Sequence, residues 1–120
     1  MKRILALVGF CTLLTGTATV SAHHSTNMYT GSRTVTGKVV NFEWTNPHAH
    51  LYLEVEDEDG NIVIWDCEMM SLNHLRSYGW TAKTVQPGDV ISATGAYARS
   101  GAPVMIASRM ILADGREISS

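Results

Sequence analysis

Histidine is the residue type here with the most chemistry to offer. Five occur in 120 residues, and four of them form two close pairs, His23-His24 and His48-x-His50. The first pair follows Val20-Ser21-Ala22, a small-x-small signal of the kind cut on export. Cleavage after Ala22 would make His23 the first residue of the mature chain. Its free amine and its own Nδ1 can then chelate one metal ion in a six-membered ring, and His24 can add a nitrogen. An α-amine has a reference pKa of about 8, so a metal can displace its proton near neutrality. An all-nitrogen ligand set favours copper among the divalent first-row metals, with zinc second.

His48 and His50 are spaced i, i+2, so on a strand both rings project to one face. By parity that face also carries Tyr52 and Glu54 and lies opposite Leu51 and Leu53. A rigid, accessible pair can supply two ligands, and an N-terminal arm can close over them. The plainer reading makes His23 and His24 polar residues beside a cleavage site and His48 a turn residue. Cys67 falls on the apolar face with Val63 and Trp65, where a thiol is buried and inert. Met69 and Met70 follow it. A Cys-x-Met-Met run can suit Cu(I), but its spacing fits core packing better. His74 belongs on the outer side of a short helix. Asp66 and Glu68 share a strand face, as paired carboxylates do and as many exposed residues do.

No Ser-His-Asp set and no phosphate-cradling glycine loop can be argued, so the expectation is a binding protein and not an enzyme. The rival to metal binding is an interaction module. In it an aromatic groove with Trp44, Asn46 and Tyr52 on its rim would take a peptide, a glycan or a partner protein.

The elements that must position these residues begin after residue 22. Lys2 and Arg3 form a positive n-region, residues 4–14 an apolar stretch, and residues 15–22 a small-residue cleavage region. The apolar stretch is shorter than the ~20 residues of a membrane span, and no second one follows. Cys11 follows Phe10 inside the apolar stretch, unlike a lipoprotein cysteine. The expectation is a signal peptide over 1–22, a periplasmic or secreted protein, and no membrane contact once the leader is gone. Losing Lys2 and Arg3 takes the formal net charge from −2 to −4. That balance argues against nucleic acid, which needs clustered cations. Cys67 alone remains in the mature chain, so no internal disulfide can form and the core must hold the fold.

Residues 23–32 are polar and turn-rich, an expected N-terminal arm. From Arg33 the sequence is β-branched and aromatic up to Trp44, with Gly37 marking a bulge or bend. Residues 51–56 alternate cleanly. An acidic hairpin turn at residues 57–61 is expected to use Asp59-Gly60 at positive φ. Residues 62–68 form the returning strand. Ser71 can cap a two-turn helix that Gly79 stops. Residues 90–98 and 104–112 make two further strands, and residues 116–120 are expected to fray. Five strands with one short helix between the third and fourth predict an all-β, five-stranded, OB-fold-like Greek-key barrel over 33–118.

The run Ala22-His23-His24-Ser25, then Thr36-Gly37-Lys38-Val39, then Trp44-Thr45-Asn46-Pro47-His48 resembles a group of small exported bacterial proteins of unknown function. Leu75-Arg76, Gly79-Trp80, Pro87-Gly88-Asp89 and Leu112-Ala113-Asp114-Gly115 look like its later landmarks. The resemblance covers the whole mature chain. It implies an exported β-barrel without an established activity, and it carries over His23, His24, Trp44, Asn46, Pro47 and His48. The position of His50 more often holds an aromatic residue in such proteins, so His50 ranks below His48 as a ligand.

Overall fold

The computed structural model describes residues 26–120; residues 1–25, with the expected leader, His23 and His24, lie outside the described residues. A 3-10 turn at Thr26–Met28 leads into β1 (Tyr29–Glu43), β2 (His50–Glu56) and β3 (Ile62–Glu68). Helix α1 (Leu72–Ser77) follows, then β4 (Val90–Ala98), β5 (Val104–Ile111) and β6 (Glu117–Ser119). Pairing runs β3-β2-β1-β4-β5-β6, and a parallel β3–β5 contact joins the ends into a ring of five strands. Every other pairing is antiparallel, and β6 adds to β5. The described residues are thus mostly β-sheet with one short α-helix.

The 15-residue β1 makes the ring possible by serving two neighbours. It pairs with β4 from Tyr29 to Lys38 and with β2 from Lys38 to Glu43. Gly37 sits where the partners change. A Cβ there would run into the Glu54 carbonyl and the Val55 side chain, so the close approach admits only glycine. Gly37 is therefore a point of close approach, and the register shift lies beyond it at Val40, between Val39 and Asn41. Gly95 of β4 plays the same part against the Ile106 carbonyl, beside a second register shift.

Strand parity then sorts the side chains. Leu51, Leu53, Trp65, Cys67, Ile91, Ala93, Met105, Ala107 and Met110 are buried inside the ring. The residues between them face outward, His50 and Tyr52 on β2 and Asp66 on β3 among them.

Helix α1 is too short to be stable alone. Leu72 and Leu75 bury one side of it. Its C-terminus follows the expected glycine stop: Gly79 has φ 96° and its N–H donates to Arg76 C=O at 3.0 Å. Trp80 N–H donates to Leu75 C=O at 3.0 Å, completing a Schellman motif whose two apolar residues, Leu75 and Trp80, are both buried in the core. The N-terminus differs from expectation. Ser71 precedes the helix but its hydroxyl makes no cap and instead meets His74 Nδ1 at 3.1 Å. Asn46 Oδ1 accepts the Leu72 N–H at 3.2 Å in its place.

Three other expectations are corrected. β1 starts at Tyr29, four residues before Arg33, because Tyr29 and Thr30 pair with Ala98 and Tyr97 ahead of a register shift that includes Gly31, φ 52°. In the acidic hairpin only Gly60 has positive φ. Gly60 N–H donates to Asp57 C=O, and the Asp57 carboxylate accepts from the N–H groups of Asp59 and Asn61 at 2.9 and 2.8 Å. Those bonds hold the Asp57 carboxyl below its usual pKa range. The end of the chain does not fray: β6 pairs with β5, Trp80 Nε1–H donates to Ser119 C=O at 2.6 Å, and Ser120 is buried.

Replacing Gly37 by Ala must push the Glu54 backbone aside. Urea unfolding of Gly37→Ala is expected to show a loss of about 1–3 kcal/mol. Gly101→Ala, at a turn with open space around it, serves as the comparison for a positive-φ cost of about 1 kcal/mol.

Candidate functional site

Parity places His48 and His50 on one face, and β3 brings Asp66 and Glu68 beside them. His48 Nδ1 lies 2.7 Å from Glu68 Oε1, and His50 Nδ1 lies 2.7 Å from Asp66 Oδ1. In register His50 stands opposite Glu68, and Tyr52 opposite Asp66, so both pairs run diagonally across the ladder. The His50 ring is stacked on Tyr52, centroids 6.2 Å apart and planes within 17°. Tyr52 O–H donates to Glu43 Oε2 at 3.4 Å. A carboxylate on Nδ1 fixes ring orientation and directs any metal to Nε2, the arrangement that commonly supports metal-bound histidine.

Burial is uneven across the face. Glu68 is 8% exposed, the only buried acidic side chain among the described residues, while Asp66 and both histidines are half-buried. A carboxylate this far from water needs a cationic or donor partner, and His48 supplies it.

Tyr29 belongs to the same neighbourhood, which sequence reading did not find. Its hydroxyl pKa is raised, first by burial and then by the charges of Glu68 and Asp66. The connection is topological. β1 starts against β4 at Ala98, β4 turns into β5, and Val104 of β5 pairs with Asp66. The first residue of β1 thus comes within electrostatic reach of Glu68 and Asp66, although they are far apart in sequence.

Among the described residues, no three of His, Cys, Asp and Glu converge as a metal ion would need. The two His–carboxylate pairs do not make a metal centre by themselves. His23 and His24, the other expected ligands, lie outside the described residues.

The expected aromatic rim does not assemble. Phe42 and Trp44 pack toward the core on either side of outward-facing Glu43. Trp44 meets Phe42 at 5.6 Å and lies under the Arg76 guanidinium at 5.6 Å. Asn46 caps α1. Tyr52 stands on the opposite, outer face with His50. Trp44 and Asn46 therefore fasten the β1–β2 connection to the helix, and the cis Asn46–Pro47 bond lies within that clasp. Trp65 and Trp80 are core. Replacing Asn46 by Ala is expected to cost about 1 kcal/mol, as loss of a helix cap does. A far-UV and thermal comparison with wild type checks this.

Cys67 is fully buried, and desolvation, then the charge of Asp66, pushes its thiol from 9.0 up to about 12. Met69 is buried and Met70 packs on the core, so neither joins a soft-metal site with it. His74 is exposed on α1. Native protein at pH 8 is expected to resist iodoacetamide at Cys67 and to react once unfolded. The unfolded thiol ionises near 9 and the folded one near 12. Its contribution to stability is thus complete below pH 9 and declines as pH rises toward 12. Cys67→Ala should flatten that part of the wild-type alkaline unfolding profile.

Among the described residues no helix is long and apolar enough to cross a membrane. No curated protein and no solved structure matches the chain. The model of a family of unknown function, DUF6152, matches residues 12–106, and the chain belongs to that family.

Proposed function

We propose that this is an exported, periplasmic or secreted binding protein that holds a transition metal, copper first and zinc second. The ligands are the amine and imidazole of His23 and the His48 ring, with His24 and His50 as further donors. Metal carried on Nε2 of His48 gains from Glu68 on Nδ1, which makes the ring a better base. The leader 1–22, cleaved after Ala22, is part of the same proposal, since only that cut creates the amine ligand.

The observation that carries the reading is the position of Tyr29. The residue six places after His23 lies within the fields of Glu68 and Asp66, the partners of His48 and His50. Six residues reach at most about 20 Å when extended. That length is enough, under this proposal, for the amine of His23 to come to His48.

We also assign the ring to an OB-fold-like Greek-key barrel. The cyclic order β1-β2-β3-β5-β4, the helix between β3 and β4, and a first strand shared by both halves support that assignment.

Mass spectrometry of the exported protein is expected to give a first residue of His23. Cu(II) titration of that protein should then show submicromolar binding with proton release. His23→Ala and His48→Ala should each weaken it at least tenfold, with unchanged unfolding midpoints confirming that the ring is intact. Glu68→Gln keeps the shape and should weaken binding less than His48→Ala. A chain that begins elsewhere, or one starting at Ser25 that binds copper as tightly, overturns the proposal.

A further inference from the structure

On the side of the ring away from the histidines, β1 and β2 part company. Their ladder ends at Lys38↔Glu54, beside Gly37, and the strands diverge toward Arg33 and Glu56. The fork encloses a cavity of about 520 Å3 with Val35, Val63 and Trp65 at its apolar base.

Backbone parity decides what the fork offers. Val39 exchanges two bonds with the β4 side, its N–H to Asp89 C=O and its C=O from Gly88 N–H, both 2.8 Å. From Arg33 to Val39 the register against β4 is unbroken, so odd residues point their main-chain groups at β4. Even residues point the other way. Lys38 meets Glu54, but Thr34 and Thr36 lie beyond the end of that ladder and turn their N–H and C=O into the fork. Their hydroxyls are engaged elsewhere, with Thr94 and Ser92 at 2.7 Å. The fork is an open strand edge inside a concave site.

Its charge is one-sided. Glu56, Asp57, Glu58 and Asp59 line the far wall. Among the described residues none of these four forms an ion pair with a lysine or arginine. The cation on the near wall, Arg33, lies over two rings, its Cζ 4.9 Å from the centroid of Tyr97 and 5.8 Å from that of Trp65. Cation–π contact holds it there without a carboxylate, so the acidic wall keeps its charge.

We propose that the fork binds a short extended peptide segment carrying basic side chains, which pairs by its backbone with Thr34 and Thr36. Main-chain bonds give such a strand its hold, and alternate side chains give selectivity. One set of side chains reaches the apolar base at Val35 and Trp65. The acidic wall takes the basic ones. The inference is independent of the metal site, which uses other residues on another face.

The probe is the blocked peptide acetyl-Lys-Val-Lys-Val-Lys-amide, with the Glu-for-Lys peptide as control. Amide hydrogen exchange is read by NMR. The basic peptide is expected to slow exchange at Thr34 and Thr36 at least about tenfold at saturation, and the acidic one to have no effect. The triple variant Glu56→Gln, Glu58→Gln, Asp59→Asn should bind at least about fivefold more weakly. Thr34→Pro removes one fork-side donor and leaves the main-chain bonds to β4 in place, so it should weaken binding too; Thr34→Val, which loses only the hydroxyl bond to Thr94, is its control and should bind as wild type. Triple-variant binding at wild-type strength, equal binding of both peptides, no binding, or slowing mapped elsewhere overturns the proposal. Slowing that grows with protein concentration alone would mean a second copy pairs there, and would also overturn it.

Discussion

One close approach governs this protein: the Glu54 carbonyl lies against the α-carbon of Gly37. A five-stranded ring needs a strand that belongs to both of its halves, and β1 does so by leaving β4 for β2 at Lys38. Any side chain at residue 37 would hold β2 away and open the ladder from Lys38 to Glu43. That ladder sets the register of β2. A one-residue slip would turn Leu51 and Leu53 out to water and His50 and Tyr52 inward. The same approach separates the strands beyond it, so the fork at Thr34 and Thr36 is the geometric counterpart of the tight contact at Gly37.

Beyond that point the two ends of the β1–β2 connection have different duties. Phe42, Trp44 and Asn46 turn inward to the helix. There they build an aromatic contact with Trp80 at 5.9 Å from Phe42 and satisfy an orphan amide of α1. His48 and His50 turn outward to the carboxylates of β3. Thus the short run from Trp44 to His50 anchors the helix with its first half and furnishes the outer face with its second.

Much of this was legible in local patterns. Alternation at Leu51-Tyr52-Leu53-Glu54 gave β2 with its faces correctly assigned, and Gly79 gave the helix stop. Burial of Cys67 followed from the same parity. What was not legible depends on contacts distant in sequence. Asn46 caps a helix 26 residues away, displacing the nearer Ser71. β6 is polar and short, and only its pairing with β5 and the Trp80 indole make it a strand. The β4–β5 turn brings Tyr29 within the electrostatic influence of Glu68 and Asp66, a relation that no periodicity encodes. Trp44 and Tyr52 part for a related reason: composition counts aromatic rings but does not say which face each one takes.

These duties also divide what the fold needs from what it carries. The core is closed by aliphatic and aromatic side chains, and the helix is held by Asn46, Leu72, Leu75 and Trp80. The four residues His48, His50, Asp66 and Glu68 contribute little to that. Half-exposed ion pairs are worth about 0–1 kcal/mol, and a buried carboxylate with its histidine barely offsets its own desolvation. The outer face of β3 accepts plain aliphatic residues one turn of the pleat away, at Ile62 and Ile64, both exposed. A ring of this size without a disulfide has little stability to spare. Placing an 8% exposed carboxylate at Glu68, where an isoleucine would serve the sheet as well, is a cost that folding does not require. That excess is the physical reason to seek the protein's function on the histidine face and not in the aromatic clasp beside it.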